Sequence, residues 1–356
     1  MQTAPACLNL IRETKKVVGS ESFAFSSPFN GFWLVRFYGV HHANAFDTKV
    51  VRESDFQKKL DMCNYLPEIM LMGNFVVERA GIVALCRVHG INTIHAEDGF
   101  FPHYATAHGD PLGFCWESSL PRMIFRGCSE RQRQRAQEVR QKWLQFSPQI
   151  LPDSVIKPFV FWPLQLIGDK VNQWDLNVKE WAGLLRHFRG CVPEHVQMVI
   201  KEHPRSKLQD NLGVEALARE LPNTVIVPKS THLKTLLKEC SAAAGANSSV
   251  LYEARLMFRK PTYVYARSWF TNHSELFIPV AGAGRKPRLV NRFDFVENNQ
   301  LMRNERLDDY TDWFLAQLLA RQISHEEAQR NPKALRAMVD RLSYHSFVKY
   351  GEEIFA

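Results

Sequence analysis

The sequence predicts an α/β protein of two doubly wound domains with a helical tail. Short runs of apolar, β-branched and aromatic residues alternate with stretches whose apolar residues recur every three or four positions. That alternation is the signature of a parallel sheet and its crossover helices. The rhythm breaks at "FSPQILPDSVIKP", residues 146–158, which carries three prolines and reads as a linker, and then it restarts. At 356 residues and 45% hydrophobic, the chain can fill two medium cores. The expected divisions are 1–150, 151–300 and a helical segment 301–356.

In the first domain "FWLVRFYG", 32–39, is rich in aromatic and β-branched residues and predicts a strand. "EIMLMG", 68–73, predicts a second. "FVVERAGIVALCRVHG", 75–90, has helical periodicity and a terminal glycine. "INTIHAEDG", 91–99, is then a strand that ends at its acidic pair. In the second domain strands are expected at 159–165, 196–204, 223–228 and 260–266, with a small-residue strand opening 241–258. Helices are expected at 177–190, 213–221, 231–240 and at the end of 241–258. The tail segments "DDYTDWFLAQLLARQ" and "NPKALRAMVDRLS" predict two more helices.

The formal net charge of +8 suits an anionic partner: nucleotide, phosphorylated glycan, anionic lipid or nucleic acid. The densest basic run is "RGCSERQRQRAQEVRQK", 126–142, which reads first as a solvated helix face and second as a patch for anionic lipid or glycan. The seven cysteines form no C-x-x-C pair and no zinc-type spacing, which points to a reducing compartment. No run approaches the roughly 20 apolar residues of a spanning helix, and no signal-peptide core is evident. The expectation is a cytoplasmic protein, at most peripheral to the inner membrane.

Three stretches carry chemistry. "KEHPRSK", 201–207, places Lys201, His203, Arg205 and Lys207 where a strand leaves its sheet. Pro204 stiffens that turn, and a stiff cationic turn suits a phosphate leaving group. "GANSSVLYEA", 245–254, puts Asn247, Ser248 and Ser249 at the start of a helix, where backbone N–H groups and the helix dipole favour an anion. One residue suffices for ordinary capping, and here three polar residues stand in a row. The third stretch is "HAEDGF". Glu97 and Asp98 would point to opposite faces of a regular strand, so they serve one site only if the strand has ended and Gly99 lets the chain turn. There is no Walker loop and no G-x-G-x-x-G, so nothing proposes ATP or NAD.

Together, Glu97-Asp98-Gly99, His203-Pro204 and Ser248-Ser249 resemble the marks of bacterial capsule and O-antigen transferases of 3-deoxy-manno-octulosonic acid (Kdo). "EDGFF" and "NSSVLYEARLMFRKPTYVYARSWF" are especially similar. The resemblance covers roughly residues 70–270 and implies a GT-B fold, two Rossmann-like domains facing a cleft. It implies a CMP-Kdo donor, a glycan or lipid-linked glycan acceptor, no metal and no cofactor beyond the donor. It implies catalytic carboxylates at Asp98 and Glu97, with Glu97 or a histidine such as His103 handling the acceptor proton. His203, Pro204, Asn247, Ser248 and Ser249 would hold CMP, and Glu253 would reach the ribose. Lys201, Arg205, Lys207 and Arg267 are the candidates for the sugar carboxylate and phosphate. Transfer with retention of configuration is the expectation. The alternatives are an inverting sialyltransferase-like enzyme using a CMP-sugar, or a basic protein that binds nucleic acid or lipid through 126–142. A thiol nucleophile at Cys115 beside His108 lacks an orienting third group.

Overall fold

The computed structural model describes residues 21–25, 47–51, 69–72, 92–103, 105–113, 118–166, 181–206, 208–266, 268–280 and 305–355. The expected strand at 32–39, the helix at 75–90, Lys207, Arg267 and Cys115 lie outside these residues. The chain forms two compact units, one of residues 1–123 and 317–356 and the other of 124–316. The division falls nearer the N-terminus than the proline-bearing stretch, and the tail is divided rather than standing apart.

The first unit holds strands β1 (Glu21–Phe25), β2 (Asp47–Val51), β3 (Ile69–Met72), β4 (Asn92–Asp98) and β5 (Thr106–Asp110). Strand β12 (Gln322–Ser324), from the tail, completes a sheet of order β12-β5-β4-β3-β1-β2. The pairs from β2 through β4 are parallel. β5 and β12 add antiparallel. One face of the sheet packs Ile94, Ala96, Ala107 and Ile323 against Leu335, Met338 and Val339 of helix α8 (Pro332–Arg341). The tail therefore supplies both an edge strand and a core helix.

The second unit alternates strand and helix. It runs β6 (Phe159–Pro163), α2 (Trp181–Cys191), β7 (Gln197–Lys201), α3 (Leu208–Glu220), β8 (Thr224–Val227) and α4 (Leu233–Glu239). It continues with β9 (Ala242–Gly245), α5 (Ser249–Leu256), β10 (Thr262–Val264) and β11 (Ile278–Pro279). The sheet order is β11-β10-β9-β6-β7-β8, parallel throughout. Every residue of β6, β7 and β9 is buried, as expected for strands covered by helices on both faces. Trp162, Leu185, Phe188 and Tyr265 fill its core.

Helix α1 (Glu130–Leu144) carries the basic run, and α6 (Glu305–Ala320) lies against it. Arg140 is buried, meets Asp312 at 2.6 Å and donates through Nε to the Leu256 carbonyl at 2.9 Å. Arg133 meets Asp309 at 2.9 Å. These two arginines are internal ties, while Arg131, Arg135 and Lys142 lie on the exposed side. The solvated-face expectation holds for only part of the run.

Candidate active site

In the first unit, β4 runs unbroken through the acidic pair. The ladder to β5 sets Glu97 opposite His108 and Asp98 opposite Ala107. The sequence reading needs the strand to end before these acids, and the structure corrects it. Adjacent ladder positions fall on opposite faces, so the two acids do not share a face of the sheet. Asp98 continues the row of Ile94 and Ala96 to the carboxyl end of the strand, where its side chain is only partly buried. The Glu97 position shares the other face with His95, His108 and Asp110.

Gly99 also has a different role from the expected turn. Its N–H donates to the Thr106 carbonyl at 2.7 Å. A β-carbon there would lie 2.0 Å from Thr106 Oγ1. The position therefore excludes a side chain because the strands approach closely.

The two nearby histidines divide by burial. His103 is partly buried, and its Nδ1 donates to the Gly99 carbonyl at 2.8 Å. In the neutral ring that bond places the proton on Nδ1. His108 is buried and donates from Nδ1 to the Asp98 carbonyl at 2.7 Å. Burial pushes its pKa down to about 4, so it is a neutral strut, its ring 4.4 Å from that of Phe100. Deeper still, Asp110 accepts from the N–H groups of Leu112, Gly113 and Ser119 and from the Ser119 hydroxyl at 2.6 Å. Arg321 stands 4.0 Å away. Burial raises the Asp110 carboxyl, and Arg321 pulls against that rise.

In the second unit the strand order reverses between β6 and β9. The crevice outside their carboxyl ends is the switch point at which doubly wound sheets bind ligands. Gln165 follows β6 and Asn247 follows β9, and they bridge this point. The Asn247 N–H donates to Gln165 Oε1 at 3.1 Å, and Gln165 Nε2 donates to Asn247 Oδ1 at 3.1 Å. Ser248 caps α5, accepting from the Val250 N–H at 3.3 Å, and Ser249 opens the helix. His203 stands past the end of β7, the neighbour of β6. Its Nδ1 accepts from the Arg205 N–H at 3.1 Å, so the neutral ring carries its proton on Nε2. Pro204 and Arg205 are exposed. The structure thus gathers Asn247, Ser248, Ser249, His203 and Arg205 along one edge of the sheet.

Two expected site residues are placed otherwise. Lys201 closes β7, is buried, and donates from Nζ to the Lys229 carbonyl at 2.7 Å. Burial pulls its pKa down. Its ammonium is engaged by that carbonyl at the end of the strand. Glu253 is also buried, its pKa pushed up to about 7 by burial, with Lys234 pulling it back. It lies largely inside the unit.

Two glutamines escape sequence reasoning: Gln165, and Gln322, which bonds the Phe100–Phe101 backbone. Neither stands in a motif, and strand-end position is the only signal for Gln165. Among the described residues no cluster of metal-ligating side chains comes together. No helix of the described residues is long and apolar enough to cross a membrane.

Residues 124–273 match the capsule polysaccharide biosynthesis protein family. The match begins where the second unit begins. Among solved structures, the beta Kdo 2,7 transferase of Thermosulfurimonas dismutans KpsC superposes with a TM-score of 0.56 at 17% identity. The superposition covers 89% of this chain and 99% of that one. The beta Kdo 2,4 transferase of the same KpsC gives a TM-score of 0.48 at 13% identity, over 82% and 89%. No curated protein sequence matches the chain. The resemblance read from the three motifs is supported, and the fold is the GT-B fold of glycosyltransferases. The family match lies on the unit that also holds the switch-point turns.

Proposed function

We propose that the protein is a glycosyltransferase that moves Kdo from CMP-Kdo to a glycan or glycolipid acceptor in capsule-type polysaccharide synthesis. The observation that carries the reading is the switch-point edge of the second unit. There a helix start, an amide bridge and the His203 ring stand together within the family match.

In this reading the CMP phosphate meets the His203 ring, the Arg205 guanidinium and the N–H groups at the start of α5. As the bond from the anomeric carbon to phosphate breaks, its electron pair goes to the phosphate and positive charge builds on the ring. Donors already in place stabilise the leaving group. The anomeric carbon is tertiary and carries a carboxylate. Asp98 attacks it from the opposite side to form a glycosyl ester. The acceptor hydroxyl then displaces Asp98 and gives its proton to Glu97 or to a histidine such as His103, and two displacements retain configuration. Cationic and N–H donors fill a cation's role, so activity survives EDTA.

One observation favours a second reading, an inverting CMP-sialate-type transfer. The ladder leaves Asp98 without Glu97 on its face, and a single carboxylate suffices as general base. The further partner in this proposal is an anionic membrane face. It would be met peripherally by Arg131, Arg135 and Lys142 on the exposed side of α1, near the exposed Ile124.

The test is a mass-spectrometric screen of CMP-Kdo and CMP-sialate with several glycan acceptors, with and without EDTA. Transfer from CMP-Kdo is expected, and the anomeric form of the product separates retention from inversion. Transfer from neither donor, with no release of CMP, would overturn the reading.

A further inference from the structure

The tail strand β12 lies in register along the acidic hairpin. Gln322 stands opposite His108, Ile323 opposite Ala107 and Ser324 opposite Thr106. Flanking bonds extend the fit: Gly109 N–H donates to the Arg321 carbonyl at 2.9 Å, and His325 N–H to the Ala105 carbonyl at 2.9 Å. His108 is also the partner of Glu97, so Gln322, His108 and Glu97 occupy one row across three strands.

The side chain of Gln322 does more than its backbone. Its Oε1 accepts from the Phe100 N–H at 2.9 Å and from the Phe101 N–H at 3.0 Å. Its Nε2 donates to the Phe101 carbonyl at 2.7 Å. One amide thus holds three backbone groups of the segment that links Asp98 to His103. Phe100 follows the end of β4, and its N–H and that of Phe101 are both taken up by Gln322. No other amino acid has both the length and the paired acceptor and donor of this amide.

We infer that Gln322 is a positioning residue for the reaction: it sets the path of residues 99–103, and with it the placement of Asp98 and of the His103 imidazole. His103 in turn bonds the Gly99 carbonyl inside the same loop. The tail then shapes the active site through Gln322. This inference rests on the reading of Asp98 as the catalytic carboxylate.

The experiment uses the full chain and follows CMP release from CMP-Kdo, CMP binding by calorimetry and amide hydrogen exchange. Gln322→Ala is expected to lower kcat by about 10²-fold, the scale of a roughly 1 Å misplacement, with the KM for CMP-Kdo changed by no more than about twofold. CMP affinity stays at the wild-type value, and exchange quickens at Phe100 and Phe101 while β4 and β5 stay protected. Gln322→Glu keeps both acceptor bonds, but its carboxylate cannot donate to the Phe101 carbonyl until it is protonated. Its rate relative to wild type therefore rises as the pH is lowered, a signature that a merely structural role would not give. If Gln322→Ala does not fold, the pH profile of Gln322→Glu decides. A folded Gln322→Ala with wild-type kcat, or a Gln322→Glu profile parallel to wild type, overturns the inference. Asp98→Asn separates the two readings. If it is inactive while Gln322→Ala is normal, only the positioning role fails; if it is normal as well, the reading of the acidic hairpin itself fails.

Discussion

In the second unit, the groups proposed to hold the donor stand within a few residues of the strands that carry them. His203 follows β7, Asn247 follows β9, and Ser248 caps the helix it opens. In the first unit, the acidic hairpin takes its shape from Gln322, 222 positions beyond Phe100, and from a helix of the tail. The second arrangement is local and repeats the same strand-to-helix turn. The first needs the chain to return, and closing so long a loop sacrifices entropy that the core contacts of β12 and α8 must offset. A local site tolerates change elsewhere in the chain. A site closed by the tail is sensitive to changes far from the chemistry.

The largest effect is expected where the comparison is most direct. Asp98→Asn keeps size and hydrogen bonding and removes the charge. Turnover of CMP-Kdo should fall by about 10⁴-fold, as for loss of a covalent catalyst. CMP affinity should not move, because the proposed nucleotide site lies in the other unit. Wild-type protein given donor alone should gain the mass of one sugar, read on the intact chain, and the variant should not. Normal turnover in Asp98→Asn would leave the hairpin a structural element.

A second measurement probes the interior of the second unit. The Glu253 pKa is about 7 in the fold, against 4.5 for an ordinary glutamate. Between those values the folded protein binds more protons than the unfolded chain. Stability is therefore greatest below that window and falls as pH rises through it, by up to about 3 kcal/mol. Glu253→Gln removes the titration. Thermal unfolding at pH 5 and pH 8 should show a larger drop for wild type than for the variant. Equal drops would mean that Glu253 is solvated, and would return it to the open edge as a ribose contact.

The smallest effects belong to the donor edge. His203→Ala should weaken CMP binding by about 10- to 100-fold, the worth of a hydrogen bond to a charged group. Ser248→Ala should weaken it by about fivefold, the worth of one neutral hydrogen bond of about 1 kcal/mol to the nucleotide. Calorimetry with CMP reads both. Wild-type affinity in the two variants would move the nucleotide away from this edge.

The second unit was legible in the sequence because its signals are local. Continuous apolar runs such as "FVFWP" mark strands buried on both faces, and helical periodicity marks the crossovers between them. Parallel strands joined by helices put every following turn at the same edge, so His203, Asn247 and Ser248 could be named before their geometry was known. The first unit was legible only in part. β3 and β4 stand out by their apolar runs, whereas "TAHGD" and "QIS" are too short and polar to declare themselves as β5 and β12. Composition could name Glu97, Asp98 and Gly99 as a group. Only pairing with β5 decided that the strand continues through both acids, that they take opposite faces, and that Gly99 is small because Thr106 is close. Burial likewise turned Lys201 and Glu253 inward, since whether a charged side chain reaches solvent depends on what packs over its strand or helix. Gln322 shows the limit most clearly: a glutamine has no periodicity and no motif, and its three bonds exist because the chain brings two distant segments into register. Sequence records local preference, and a side chain's partner across a sheet is set by long-range register, which no neighbouring residue encodes.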